Sequence, residues 1–144
     1  MSPKRVLFIC VHNSGRSQMA EAFLRDVSGG TIIVESAGLE PGPVNPLVKS
    51  VMNEIGFDLS RATADNVFDF FKQGRLYDYV VTVCDDSNDA RCPVFPGITQ
   101  RIHWPFPDPV GLSGTAEEKM KALRKIRDDI RAKVEAWYYE VLEP

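Results

Sequence analysis

Short, uninterrupted apolar strands alternate along this chain with amphipathic helical segments, and no other feature narrows the fold as much. Residues 5–9 form a brief β-branched, apolar run of the kind buried on both faces. A helix follows from Ser17, with Ala20, Phe23, Leu24 and Val27 on one face and Gly29-Gly30 as its stop. Residues 31–35 are a second strand. Asn45-Pro46 then opens a helix with an N-cap and a proline in its first turn. Leu47, Val48, Val51, Met52 and Ile55 line the buried face of this helix, and Gly56 stands where a left-handed cap belongs. A shorter helix is predicted over 65–72, ending at Gly74, with strands over 79–83 and 98–102. Thr115 and Glu118 make a capping box. The last helix then carries Met120, Leu123, Ile126, Ile130, Val134, Trp137 and Val141 at three- and four-residue steps. The pattern predicts a single-domain, three-layer α/β fold: a four-stranded parallel sheet flanked by helices.

At 144 residues the chain holds one domain with a sizeable core. Its net charge of −3 argues against nucleic acid as a partner, because nucleic-acid-binding domains carry a basic face. The same charge means that any anion site must be built locally. The apolar stretch 6–11 is too short for a signal-peptide core, and no apolar run is long enough to span a membrane, so a cytoplasmic address is expected, and a small acidic domain of this sort is expected to be a monomer. Three cysteines are an odd count for a disulfide framework and point to thiols kept for reactivity or packing.

In parallel sheets of this kind ligands bind at the carboxyl ends of the strands. Cys10 and Cys84 each follow a strand directly, which puts both at that edge. The run Cys10-Val11-His12-Asn13-Ser14-Gly15-Arg16-Ser17 joins the first strand to the first helix. A loop of this length can curl so that its N–H groups point inward and, with the positive end of the helix, cradle a dianion. Gly15 relaxes the backbone, and the forked guanidinium of Arg16 can grip two oxygens. A helix N-terminus and a guanidinium both favour thiolate over thiol at Cys10, and the Ser17 hydroxyl can donate to its sulfur. The competing view, a small buried cysteine ending a strand, leaves the glycine and the polar loop unexplained.

Asp108-Pro109 sits in a proline-rich loop, where Asp108 reads equally as a general acid or as part of an Asp-Pro turn. Cys84 and Cys92 are separated by a polar segment. They read as a redox relay with Cys10 or as two inert thiols, whereas their loose spacing disfavours a metal site shared with His12 or His103. Both histidines read as hydrogen-bonded structural residues.

Cys10 to Ser17 together with Asp108-Pro109 resembles the low-molecular-weight protein tyrosine phosphatase fold family. Cys84, Cys92 and the stretch from His103 to Pro109 are similar to its thioredoxin-coupled arsenate reductase branch. The resemblance spans essentially the whole chain. It implies that arsenate, or phosphate or sulfate as an analogue, binds residues 11–17, and that Cys10 attacks arsenic while Asp108 protonates the departing oxygen. It further implies that Cys84 attacks Cys10, Cys92 attacks Cys84, and thioredoxin reduces the resulting pair. No cofactor is required, but the resemblance implies a potassium ion beside the loop in some members, at positions that here are Asn13, Glu21, Ser36 and Asp65. The alternative within the family is a tyrosine phosphatase working through a phosphorylated Cys10. That branch carries aromatic residues after its Asp-Pro, whereas Val110-Gly111 follow here.

Overall fold

The computed structural model describes residues 3–83, 99–107, 109 and 112–143. Its strands are β1 (Arg5–Cys10), β2 (Ile33–Gly38), β3 (Tyr79–Thr82) and β4 (Gln100–His103). The helices are α1 (Arg16–Ser28), α2 (Pro46–Asn53), α3 (Val67–Lys72) and α4 (Ala116–Trp137), and α4 runs on into a π-helical turn, Tyr138–Leu142. The four strands form one parallel sheet in the order β2-β1-β3-β4. β1 therefore has a hydrogen-bonded neighbour on each side, and residues 6–10 are buried.

The alternation of side chains along β1 divides the core. Val6, Phe8 and Cys10 face one apolar layer with Met19 and Phe23 of α1, Val48 and Val51 of α2, and Leu123, Ile130 and Trp137 of α4. Leu7 and Ile9 face the other layer, with Val67 and Phe70 of α3 and Val80 of β3. At the carboxyl edge of the sheet Trp104 packs edge-on against Trp137, with ring centroids 5.1 Å apart, and at a 42° tilt against Phe8 at 6.2 Å. Such aromatic pairs add about 0.5–1.5 kcal/mol each to the area they bury. They fix the chain as it leaves β4 and runs toward the end of β1.

Two helix junctions follow the sequence closely. Asn45 Oδ1 accepts from the Leu47 N–H at 2.9 Å, capping α2. Thr115 Oγ1 accepts from the Glu118 N–H and Glu118 Oε1 from the Thr115 N–H, which completes the capping box of α4. α1 ends on Gly29 in the left-handed region, at φ +59°.

Other boundaries differ from those predicted. β2 starts two residues late, because a turn from Ser28 to Thr31 consumes the residues after α1, and it continues to Gly38 because it pairs with β1 along the whole of that strand. α3 starts at Val67, since Asn66 is spent as its N-cap. β3 stops at Thr82, and β4 starts at Gln100. Leu47 lies in the first turn of α2 and is 40% exposed rather than part of its buried face. Val141 is 44% exposed while Leu142 is buried, because the wider π-helical turn carries the apolar stripe one residue further. Among the described residues no helix is long and apolar enough to cross a membrane.

Candidate active site

Cys10 ends β1 with its side chain buried, and the loop that follows folds back over the sulfur. The Asn13 N–H points at Cys10 Sγ from 3.2 Å, and Ser17 Oγ lies 2.9 Å from it. The loop reverses at Asn13, which takes a left-handed conformation at φ +52°. Asparagine tolerates this region better than most residues, and here its amide is fully used. Nδ2 donates to Ser17 Oγ and Ser36 Oγ, while Oδ1 accepts from the Asp65 N–H and from Gln18 Nε2. Gln18 also donates to the carbonyls of Asn13 and Thr63, so this one buried amide ties the loop to the segment before α3.

Gly15 forms the N-cap of α1 and offers no side chain as a cap. The first-turn N–H groups, which point along the helix axis toward the loop, are left for an anion. Arg16 is buried, and its Nη1 donates to the Phe106 carbonyl at 3.0 Å, which anchors the guanidinium to the chain leaving β4. Cys10, His12, Ser14, Gly15, Arg16, Asn45 and Pro109 line a small cavity over the sulfur. A nucleophilic thiol at the base of a cavity, a helix N-terminus aimed at it and a tethered guanidinium beside it are what attack on a bound tetrahedral oxyanion requires.

All eight residues of the predicted loop are thus gathered at one place. Val11 accepts from the Glu40 N–H and Ser14 from the Asn45 N–H through their carbonyls, so the strand-to-helix segment 39–45 braces the loop from outside. His12 Nδ1 donates to the Glu40 carbonyl, and His103 Nδ1 pairs with Thr82 Oγ1 at 2.6 Å. Cys84, Cys92 and Asp108 lie outside the described residues.

The residues singled out for an ion also meet. Ser36 Oγ bridges Asn13 Nδ2 and Glu21 Oε1, and Glu21, Ser36 and Asp65 line one hollow that shares no lining residue with the cavity over Cys10. Burial lifts the Asp65 carboxyl above the usual aspartate range, against the pull of Arg75 and with a further push from Glu35. Arg25 Nη2 donates to Glu21 Oε2 at 2.5 Å.

Two supports of the site escape a reading of the sequence. Gly38 closes β2 against the loop: a Cβ there would lie 2.8 Å from the backbone of Val11, His12 and Asn13. The only signal is a glycine at the carboxyl end of a strand, which marks close backbone approach. Gln18 is a polar residue next to the apolar face of α1, and its burial is what reveals its task.

The model of the family described as low molecular weight phosphotyrosine protein phosphatase matches residues 5–143. An arsenate reductase of Shouchella clausii is 40% identical over 135 residues, which cover 93% of this chain and 94% of that protein. Among solved structures, an arsenate reductase in the phosphate binding state superposes with a TM-score of 0.77 at 32% identity, covering 96% of this chain and 98% of the other. A thioredoxin-dependent arsenate reductase of Corynebacterium glutamicum superposes with a TM-score of 0.64 at 29% identity, covering 93% of this chain and 63% of its own.

Proposed function

The chain belongs to the low molecular weight phosphotyrosine protein phosphatase family, and on that premise we propose that it is an arsenate reductase working through thiols with a thioredoxin-type donor. The observation that carries the reading is the setting of Cys10. Its sulfur receives the Asn13 N–H and the Ser17 hydroxyl beneath a cavity that Arg16 borders, in a chain whose relatives of the same length are arsenate reductases.

Arsenate enters the loop, held by N–H groups at the start of α1 and by Arg16. The Cys10 thiolate attacks arsenic. An As–S bond forms, an As–O bond breaks, and the departing oxygen takes a proton from Asp108 and leaves as water. The Cys84 thiolate then attacks Cys10 Sγ. The new S–S bond leaves the As–S electron pair on arsenic, which falls from the +5 to the +3 state and departs as arsenite. Cys92 attacks Cys84, Cys10 leaves as thiolate, and the Cys84–Cys92 disulfide is reduced by the dithiol of a thioredoxin. Ser17 Oγ and the Asn13 N–H, at 2.9 and 3.2 Å, hold Cys10 Sγ at the base of the cavity. The chemistry calls for thiols kept reduced, which supports a cytoplasmic address, and every step is served by one chain, which supports a monomer.

The test is a thiol count on fully reduced protein before and after one incubation with arsenate and no other reductant. Loss of two thiols per arsenite, with the disulfide mapped to Cys84 and Cys92, is the expected result. Three surviving thiols and no arsenite reject the relay and bring forward hydrolysis of aryl phosphates through Cys10.

A further inference from the structure

The hydrogen bonds behind Cys10 can be followed atom by atom, because one donor has no choice of direction. The Asp65 N–H must donate, so the Asn13 amide turns Oδ1 toward it, at 3.0 Å, and Nδ2 away. Nδ2 then spends its two hydrogens on Ser17 Oγ at 2.7 Å and Ser36 Oγ at 3.0 Å. Ser17 is left to donate to Cys10 Sγ, and Ser36 to donate to the Glu21 carboxylate. The second oxygen of Glu21 receives Arg25 Nη2, a nitrogen that also donates to the Val34 carbonyl at 3.0 Å. One continuous chain of oriented bonds therefore runs from a guanidinium on the outside of α1 to the sulfur at the end of β1.

The resemblance implies that some members hold a potassium ion at this cluster. An ion there needs oxygen lone pairs directed at it, and Asn13 Oδ1 and both Glu21 oxygens already face hydrogen-bond donors. Asn13 Oδ1 accepts from Asp65 and Gln18, and Glu21 accepts from Ser36 and Arg25. The positive charge that Glu21 requires is supplied covalently, four residues further along its own helix. We propose that Arg25 is a positioning residue for the nucleophile loop, its guanidinium serving the Asn13–Ser36–Glu21 cluster as a built-in counter-ion in place of a bound alkali cation. This deepens the reading of Cys10 as nucleophile and rests on it.

Inorganic phosphate is the probe. Its affinity is measured by protection of Cys10 from iodoacetamide, followed by peptide mapping, in potassium chloride and in tetramethylammonium chloride at equal ionic strength. The native protein should bind phosphate equally in both salts. Arg25→Ala should bind about threefold more weakly in tetramethylammonium, the scale of a half-exposed ion pair, and recover in potassium as the vacated carboxylate takes up an ion. Arg25→Lys should stay near native. A native protein whose phosphate affinity rises with potassium overturns the proposal, as does an Arg25→Ala variant that binds like native in both salts. The native comparison needs no variant to fold. Arsenite formation is assayed on portions of the same preparations not treated with iodoacetamide, so failure of the reductase reading and failure of the Arg25 proposal are seen separately.

Discussion

Asn13 holds together three things that the loop needs at once: a left-handed backbone, two side-chain donors and one acceptor. Replacing it separates them. Asn13→Ala should destabilise the protein by about 1–3 kcal/mol by stranding buried partners, and should slow alkylation of Cys10. Asn13→Gly accepts the same φ without strain, so thermal melts should place it above the alanine variant, while its Cys10 alkylation should be just as slow, because the donors are gone. A glycine variant with native alkylation would mean that the backbone conformation alone prepares the sulfur. Gly38→Ala presses a methyl onto the loop backbone, which should cost about 1–3 kcal/mol in denaturant melts. Displacing the loop should also weaken phosphate binding, by as much as about a hundredfold where the shift approaches 1 Å. Cys10, Gly15 and Arg16 were legible in the sequence because their chemistry resides in the residue type and in the strand-to-helix junction. Gly38 and Gln18 were not, because what they do depends on segments far apart in the chain coming within contact distance. Cys84, Cys92 and Asp108 enter through resemblance and chemistry alone.

The helices show which element boundaries a sequence can announce. Asn45 before Pro46 and Thr115 before Glu118 carry their caps within a few residues, and both helices begin where those residues say. β2 is set instead by its partner: its end at Gly38 follows from pairing with Cys10, which no local pattern contains. Thr115→Ala should lower stability by about 1 kcal/mol in urea titrations. α2 and α4 are clamped at Glu54, which takes a two-pronged contact from Arg124 and a bond from the buried Arg127, whose Nη1 also reaches the Val51 carbonyl. The Arg124 hydrogen bond, ahead of its charge and of Arg127, holds the Glu54 carboxyl below the usual glutamate range. A carboxyl depressed in the folded state stabilises above its unfolded value of about 4.3 and loses that contribution as pH falls through the folded value. Thermal melts of Glu54→Gln should therefore fall less steeply than native on the acid side and show a constant deficit at neutral pH. Parallel curves would mean that the clamp contributes nothing through charge.

A net charge of −3 gives the whole molecule no field that draws in an oxyanion, so attraction begins only within the loop. The kcat/KM for arsenate should then change by no more than about threefold between about 0.01 M and about 0.15 M salt, and a steeper fall would reveal a long-range positive surface. The parallel sheet with helices on both faces was legible from the strand–helix alternation, because strands apolar along their whole length must be covered on both faces. The order of the strands was not, because neighbours in a sheet are chosen by packing between segments remote in the chain. That order has a consequence for ageing. A strand flanked on both sides exchanges its amide hydrogens only when the molecule opens as a whole. Cys10 is buried beneath its loop and the first turn of α1, so dissolved oxidants meet it through the cavity mouth or when that cover opens. With an oxyanion seated in that mouth, the shelf life of the thiol becomes the lifetime of that cover.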